Sequence, residues 1–282
     1  MGLKKKLINT IRKIAALSKE EKIIPVLTLV KEEMLFSSKI ALITGGSSGI
    51  GLSIAENLIS KGCKVIIAGT NESKLEKAAQ KLGGGGTTKT IVINVTDTDS
   101  LPDKVQEAAQ LYNDNRIDIL INCAGKIANS DFLRMSESEY NAVMDTNTKG
   151  TYFMCQAVSR FMIENKIRGH ILNISSASAL RPAWSPYHIS KWAVRGMTLG
   201  LAEQLLPYGI VVNAIAPGPV ATPMLGKKEG DTIYHPSNPA GRYAMPNEIA
   251  ELAAFMVSDM GNLIVGDTYY ITGGGGTIDL QN

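Results

Sequence analysis

The sequence predicts an α/β fold: a doubly wound, mostly seven-stranded parallel sheet in a single domain. Short apolar segments, typical of buried strands, alternate along the chain with longer segments of helical periodicity, and this alternation favours a parallel sheet covered by helices on both faces. The chain has 282 residues, of which 44% are hydrophobic and 20% charged, so it can bury one large core. We find no internal repeat or interdomain linker.

The elements follow one another in regular order. Strands are predicted at residues 39–43, 64–68, 90–95, 117–122, 170–174, 210–215 and 269–271. Helices are predicted at residues 50–61, 73–82, 100–112, 138–164, 187–206 and 247–258. The glycine run at residues 83–86 is predicted to be a flexible connection between a helix and a strand.

Composition excludes several classes of function. The net charge of +3 is small and dispersed, which argues against nucleic-acid binding. Cys63, Cys123 and Cys155 are odd in number and far apart, so a reducing, cytoplasmic location is expected. Neither the cysteines nor the three histidines have metal-ligand spacing, and no metal site is predicted. No apolar run is long enough to span a bilayer.

Residues 1–37 form an amino-terminal extension ahead of a domain at 38–282. Residues 1–19 carry six basic side chains and no acid, with Leu3, Leu7, Ile11 and Ile14 at helical spacing, which predicts a basic amphipathic helix. One interpretation is contact with an anionic membrane surface. Docking on the protein body or a neighbouring subunit is favoured, because residues 23–36 are apolar.

A glycine-rich turn follows the first predicted strand, in the stretch Thr44-Gly45-Gly46-Ser47-Ser48-Gly49-Ile50-Gly51. Glycines let the backbone approach a pyrophosphate, and the free N–H groups at the start of the next helix favour its negative charge. Because the turn lies between a strand and a helix, it predicts a dinucleotide-binding Rossmann fold.

Tyr187 and Lys191 lie four positions apart in a predicted helix and therefore leave the same face of it. A phenol titrates near ~10 in water, and a fixed cation nearby favours its ionised form. The pair therefore predicts a proton donor and acceptor.

Five motifs in order show that residues 38–277 resemble the short-chain dehydrogenase/reductase family, in its compact, non-extended branch. Within the family, the chain is similar to the 3-oxoacyl-carrier-protein reductase-like and sugar/polyol dehydrogenase-like members. The motifs are Thr44, Gly45, Gly49, Ile50 and Gly51; Asn122-Cys123-Ala124-Gly125; Asn147-Thr148-Lys149-Gly150; Asn173-Ile174-Ser175-Ser176; and Pro217-Gly218 followed by Thr222. Cys123 departs from the pattern, since the family has a second asparagine there.

The resemblance implies an NAD(P)-dependent oxidoreductase that transfers a hydride between nicotinamide and a carbonyl or secondary alcohol. Tyr187 would be the general acid and base, and Lys191 would support it and hold the nicotinamide ribose. Asn147 would hold a water that links Lys191 to solvent, and Ser176 would donate a hydrogen bond to the substrate oxygen.

The choice of serine stays open between Ser175, Ser176 and Ser178. Ser176 precedes Tyr187 by eleven positions, a little less than the family spacing, so the loop between them is shortened. We favour Ser176 because it directly follows the apolar run 171–174 and should emerge at the strand end. For each of the three, a turn-capping role is the alternative.

The cofactor expectation is NADP(H) rather than NAD(H). The second strand ends in Ala68-Gly69-Thr70-Asn71, without the acid that binds the ribose hydroxyls of NAD. Thr70 and Asn71 are expected to donate to a 2′-phosphate, with Lys74 nearby. The residues expected to bind the cofactor are Gly45, Ser47, Ser48, Gly49, Ile50, Gly51, Thr70, Asn71, Asn94, Val95, Asn122, Ala124, Gly125, Tyr187, Lys191, Pro217, Gly218, Val220 and Thr222.

The expected substrate is a small carbonyl or alcohol, and the fold does not determine which one. Residues 224–242 are expected to form much of a lid, with Trp184, Pro186 and Tyr234 as an apolar wall. Long helices at 138–164 and 187–206 predict, by the resemblance, a homodimer or homotetramer.

Two other functions are alternatives. The basic extension favours a cofactor-binding regulator or scaffold with little turnover. A sugar-nucleotide epimerase or dehydratase would have a different glycine spacing.

Overall fold

The protein is built around a parallel sheet of seven strands, which confirms the predicted fold class. A computed structural model describes residues 31–228 and 230–278. The strands are β1 Ile40–Thr44, β2 Lys64–Gly69, β3 Thr88–Val92, β4 Ile119–Asn122, β5 His170–Ile174, β6 Val211–Pro217 and β7 Thr268–Ile271. Their spatial order is β3-β2-β1-β4-β5-β6-β7. The order reverses direction between β1 and β4, and a ligand crevice is expected beyond the carboxyl ends of strands at such a point.

Helices connect the strands on both faces of the sheet. They are α1 Gly49–Ser60, α2 Glu72–Lys81, α3 Leu101–Gln110, α4 Glu137–Met144, α5 Thr151–Glu164, α6 Pro186–Leu205 and α7 Pro246–Met256. Within the described residues, no helix has the length and apolar character needed to cross a membrane.

Neighbouring strand residues point to opposite faces and enter two separate cores. Leu42 and Leu120 lie in the core that α3, α5 and α6 cover, together with Phe161. Ile43 and Ile121 lie in the other core, under α1, α2 and α7. Helices cover both faces, so the central strands are mostly apolar, as their sequences predict; Asn122, Asn173 and Asn213 are polar exceptions.

Two predicted strands are shorter in the structure. The sequence predicts the third strand at residues 90–95, but β3 pairs only from Thr88 to Val92. It is an edge strand, and its partner β2 ends at Gly69, whose carbonyl accepts the last hydrogen bond from Ile93 N. The fourth strand begins two residues later than expected because the Asp118 carboxylate accepts a hydrogen bond from Ile40 N at 3.0 Å.

The helix predicted at residues 138–164 is interrupted by a π-helical turn, Asp145–Gly150, between α4 and α5. Gly150 packs against the chain that continues from β3, since a Cβ there would lie 2.8 Å from Val95 Cγ2. A π-helical turn contains one residue more than an α-helical turn, and Asn147 in this turn points inward.

The amino-terminal extension is described only at its carboxyl end. Residues 1–19, the predicted amphipathic helix, lie outside the described residues. From Glu32 the chain packs on the domain: Phe36 is buried, its N–H donates to the Lys61 carbonyl, and Lys61 Nζ pairs with Glu32 at 3.0 Å.

Candidate active site

The site is a cavity of about 530 Å³ at the carboxyl edge of the central strands. It brings together many of the residues that the sequence singled out. Those that line it are Gly45, Ser48, Gly49, Ile50, Ala124, Gly125, Ser176, Tyr187, Lys191, Pro217, Gly218, Val220 and Thr222.

The glycine turn after β1 depends on the absence of side chains. Gly45 and Gly49 have φ of +68° and +55°, in the left-handed region that favours glycine. A Cβ on Gly51 would lie 2.5 Å from the Gly45 carbonyl oxygen. On the other side, a Cβ on Gly45 would lie 2.8 Å from Ala124 N. The turn is therefore folded tightly between α1 and the loop after β4.

Thr44 ties this turn to the neighbouring loop. Its Oγ1 accepts hydrogen bonds from Cys123 N at 3.2 Å and from Ala124 N at 3.3 Å. Ser48 is the residue before α1 and makes no side-chain hydrogen bond to the helix, so the N–H groups of the first turn stay available. A helix start of this kind fits a pyrophosphate.

Tyr187 and Lys191 lie in the first turns of α6. Ser185 begins this helix, with its Oγ accepting from His188 N at 3.4 Å, and Pro186 occupies the first position. Lys191 Nζ lies 5.5 Å from the Tyr187 ring centroid and donates to the Ile174 carbonyl at 2.8 Å. The lysine is 6% exposed, while the tyrosine is half-buried and faces the cavity.

Asn147 does not line the cavity but joins the elements around it. Its Oδ1 accepts from Lys126 N at 2.8 Å, and its Nδ2 donates to the Lys126 carbonyl at 2.9 Å and to Ser190 Oγ at 3.0 Å. The π-helical turn therefore holds the loop after β4 against α6, one residue before Lys191.

The three candidate serines all line the cavity, in different ways. Ser175 is buried and its Oγ donates to the Lys191 carbonyl at 3.0 Å. Ser176 is partly exposed, and its Oγ accepts from Ser178 N at 3.1 Å and donates to Ser178 Oγ at 3.2 Å. Ser176 thus begins the short 3₁₀ helix Ala177–Leu180.

Several predicted cofactor residues lie outside the cavity lining. Gly51 and Ser47 belong to the glycine turn, and Thr70 and Asn71 are exposed at the end of β2. Asn71 Oδ1 accepts from Lys74 N at 2.9 Å and caps α2. Asn94 is exposed as well, with its Oδ1 bound to Thr96, while Val95 is buried.

Asn122 points into the core rather than to the cavity. Its Nδ2 lies 3.1 Å from Cys155 Sγ and 3.0 Å from Asn173 Oδ1, so it joins β4 to β5 and α5. Its Oδ1 has no hydrogen-bond partner in the described part of the chain.

Several lining residues were not predicted from the sequence, among them Ile127, Arg181 and Tyr243. The predicted lid contributes Met224, Leu225 and His235. The signal for Arg181 was available: it is a charged residue in the shortened loop between Ser176 and Tyr187.

The predicted apolar wall of Trp184, Pro186 and Tyr234 does not line the cavity. Pro186 is buried as the first residue of α6, and the other two side chains are exposed. Lys227 Nζ donates to the Thr232 carbonyl at 3.0 Å and lies over the Tyr243 ring.

Cys123 occupies the position where the family pattern has a second asparagine. Burial raises the pKa of its thiol to about 11, although the Lys191 charge acts in the opposite direction. The thiol therefore stays neutral at physiological pH. In residues 31–228 and 230–278, no group of three or more histidine, cysteine or acidic side chains has metal-binding geometry.

Comparison with known proteins identifies the family. The family model "short chain dehydrogenase" matches residues 39–232. The chain belongs to the short-chain dehydrogenase/reductase family. The 3-oxoacyl-[acyl-carrier-protein] reductase of Haemophilus influenzae is 38% identical over 242 residues, covering 84% of this chain and 97% of the relative. This short-chain dehydrogenase/reductase is therefore an NAD(P)-dependent oxidoreductase that acts on a C=O or CH–OH group.

Solved structures agree. A 3-ketoacyl-(acyl-carrier-protein) reductase from Brucella melitensis, complexed with NADH, has a TM-score of 0.77 at 27% identity, covering 86% of this chain and 100% of that one. A variant of actinorhodin polyketide ketoreductase with NADPH also has a TM-score of 0.77 at 27% identity, covering 86% of this chain and 98% of that one.

Proposed function

We propose that this oxidoreductase reduces a ketone, or oxidises the matching secondary alcohol, with Tyr187 as the general acid and base. The observation that carries the proposal is the joint position of Tyr187, Lys191 and Ser176 on one cavity, beside the glycine turn. The residues of that turn fit a dinucleotide pyrophosphate. Gly51 has no side chain to block the backbone, and no side chain caps the N–H groups at the start of α1.

The chemistry of the residues follows from charge. A bound nicotinamide supplies or accepts the hydride. Reduction builds negative charge on the carbonyl oxygen, and Tyr187 donates the proton that neutralises it. The Lys191 ammonium, held by the Ile174 carbonyl, lies beside the Tyr187 ring. Asn147 joins α6, which carries both groups, to the loop after β4.

Ser176 remains our choice for the hydroxyl that polarises the substrate oxygen. The Ser175 hydroxyl is buried and its proton is used by the Lys191 carbonyl, which leaves it no proton for a substrate. Ser176 is partly exposed to the cavity, and its hydroxyl proton is directed only to another hydroxyl, Ser178 Oγ. A substrate oxygen can replace that acceptor.

We predict that Tyr187→Phe removes most turnover and leaves cofactor binding nearly intact, because only the transferable proton is lost. A positioned acid contributes roughly 10²–10⁴-fold to rate. The assay is NADPH oxidation with a panel of ketones, and cofactor affinity is measured by fluorescence titration. Tyr208→Phe, a phenol beyond the other end of α6, is the matched control and should retain the parental rate.

Turnover by Tyr187→Phe at close to the parental rate would contradict the proton-donor assignment. Cofactor binding without reduction of any ketone by the parent protein would favour the alternative function, a cofactor-binding regulator or scaffold.

We propose NADP(H) as the preferred cofactor. The support is chemical: Gly69 ends β2 without a carboxylate, and Thr70 and Asn71 are exposed beside it. Asn71 uses its Oδ1 as the cap of α2, so its Nδ2 donor remains available for a phosphate. The similar structures with NADPH and with NADH fit a nicotinamide cofactor of either kind.

NADPH should give the higher kcat/KM, and Gly69→Asp should shift the preference toward NADH by adding the missing carboxylate. Gly86→Asp, in the exposed connection before β3, controls for the added charge. Steady-state kinetics with both cofactors decide the matter. A parent protein that favours NADH by about tenfold, a gap of about 1.4 kcal/mol, would refute the proposal.

We also propose a cytoplasmic homodimer or homotetramer acting on a small carbonyl or alcohol. The support for assembly is apolar exposure on the long helices: Tyr152 on α5 is 44% exposed and Leu199 on α6 is 64% exposed. The three cysteines, all free thiols, fit a reducing compartment.

A further inference from the structure

The charged residues that line the cavity are all basic. Among the described residues that line it, none is an aspartate or glutamate, whereas two are a lysine and an arginine, Lys191 and Arg181. Lys191 is already placed, since its ammonium donates to the Ile174 carbonyl beside Tyr187. Arg181 has no such role in the proposed reaction. In the described part of the chain, none of the ion pairs involves Arg181.

The backbone of Arg181 is fixed relative to the catalytic groups. The 3₁₀ helix that starts at Ser176 ends at Arg181, whose N–H donates to the Ser178 carbonyl at 3.3 Å. The Arg181 carbonyl accepts from Trp192 Nε1 at 2.9 Å, which ties it to α6 one residue after Lys191. A short connection then leads from Arg181 to Ser185, the cap of α6. The exposed Arg181 side chain therefore starts from a short, anchored backbone segment.

The guanidinium is also separate from the parts of the site that suit cofactor phosphates. Those are the glycine turn after β1 and the end of β2, whereas Arg181 follows β5 on the side of Ser176. The side chain passes close to Gly276, where a Cβ would lie 3.5 Å from Arg181 Nε. Burial lowers the pKa of His188, and the Arg181 charge lowers it further, so this charge acts on the adjacent helix.

We propose that Arg181 recognises an anionic group, a carboxylate or a phosphate, carried by the ketone substrate. This inference rests on the proposed function and names the substrate class of the same site. A guanidinium binds either oxyanion through two parallel hydrogen bonds, and such charge-assisted bonds are the strong ones. Ile127, Met224 and Leu225 give the rest of the lining an apolar character, so the substrate carries its charge at one end.

Matched ketones test the proposal. Acetoacetate and its ethyl ester differ in a carboxylate, and dihydroxyacetone phosphate and dihydroxyacetone differ in a phosphate. The parent protein, with NADPH, should show a kcat/KM at least about tenfold higher for the anionic member of one pair. The pair that shows the preference distinguishes a carboxylate from a phosphate as the natural group.

In Arg181→Gln the anionic-to-neutral ratio of kcat/KM should fall at least about tenfold. Arg181→Lys should retain more of the preference for phosphate than for carboxylate, because lysine offers a point charge without the paired donors. Arg195→Gln is the matched control: Arg195 Nη1 donates to the Ala179 carbonyl of the same 3₁₀ helix, and the residue does not line the cavity. Its ratio should equal that of the parent.

A binding measurement keeps the inference separate from turnover. Acetoacetate and dihydroxyacetone phosphate are titrated calorimetrically into Tyr187→Phe saturated with NADPH, with and without Arg181→Gln. Weaker binding of an anion in the double variant supports the inference even if the parent reduces neither ketone, a result that would count against the proposed function alone. Equal anionic and neutral kcat/KM in the parent, with equal anion affinity in both variants, would overturn the assignment of Arg181 while ketone reduction stands.

Discussion

At the scale of single residues, the shape of the site depends on glycines that leave no room for a side chain. Gly51 faces the Gly45 carbonyl across the turn, and Gly218 faces Thr272, where a Cβ would lie 2.8 Å from Cα. Both contacts are with backbone, which cannot rotate away as a side chain can. The part of the cavity that we propose for the cofactor is therefore sensitive to the smallest possible substitution.

Gly51→Ala should weaken cofactor binding strongly, because its Cβ would displace the Gly45 carbonyl and open the turn. An overpacked site typically loses about 1–3 kcal/mol, so we expect a Kd for NADPH raised at least about fivefold. Gly85→Ala is the matched control, since no described atom lies within 4 Å of the position its methyl group would take and its φ is not positive. Fluorescence titration measures both; equal affinities would refute this account of the turn.

Some site residues could be assigned from the sequence alone, and others could not. The pairing of Tyr187 with Lys191 follows from helical spacing alone, and the structure places both on one cavity. Asn122 could not be assigned in this way, because its direction depends on packing against Cys155 and Asn173, which are distant in sequence. The charge of Arg181 and its place in a short loop are visible in the sequence, but its position on the cavity follows only from the fold.

At the scale of elements, periodicity predicted the seven strands and the helices between them, with ends displaced by a few residues. Periodicity did not predict the π-helical turn at Asp145–Gly150, whose sequence DTNTKG has no apolar residue to reveal a change of phase. Tertiary contacts decide it: Gly150 packs under Val95 and Asn147 bonds the loop at Lys126. Asn147, which we predict to support the site, thus lies in a turn that local sequence patterns do not specify.

The long helices also carry the prediction of assembly. Leu199→Lys on α6 should shift the protein toward smaller species, because a buried charge at a two-fold contact is repeated in both copies. Light scattering at micromolar concentration measures the mass. Leu133→Lys is the control, since Leu133 is 90% exposed but lies on the 3₁₀ helix Phe132–Arg134 rather than on a long helix. A parent protein that is a stable monomer would contradict the prediction.

At the scale of the whole molecule, the two edges of the sheet carry different kinds of polar group. The carboxyl edge holds the cavity. The amino edge holds Asp118, whose buried carboxylate is paired with Arg116 at 2.6 Å and accepts from Ile40 N. His170, the first residue of β5, is 9% exposed at the same edge, and its N–H donates to the Asp118 carbonyl. Substitutions at this edge should change stability rather than chemistry.

His170 makes that stability dependent on pH. Burial, aided by the Lys39 charge, lowers the pKa of its imidazole from 6.5 to about 4. As the pH falls below 6.5, the His170 imidazole is protonated in the unfolded chain, whereas in the folded chain it is protonated only at about pH 4. The stabilising contribution is thus complete above pH 6.5 and is lost between 6.5 and 4. The shift corresponds to a loss of up to about 3 kcal/mol.

His170→Gln should therefore flatten the dependence of the unfolding free energy on pH between 6.5 and 4, whatever its effect at pH 7. Urea denaturation at one protein concentration measures this, because assembly makes stability depend on concentration. Ser159→Ala, which removes a buried hydroxyl that cannot titrate, should shift the free energy equally at every pH and keep the parental slope. An unchanged slope in His170→Gln would mean that other groups control the acid sensitivity of the fold.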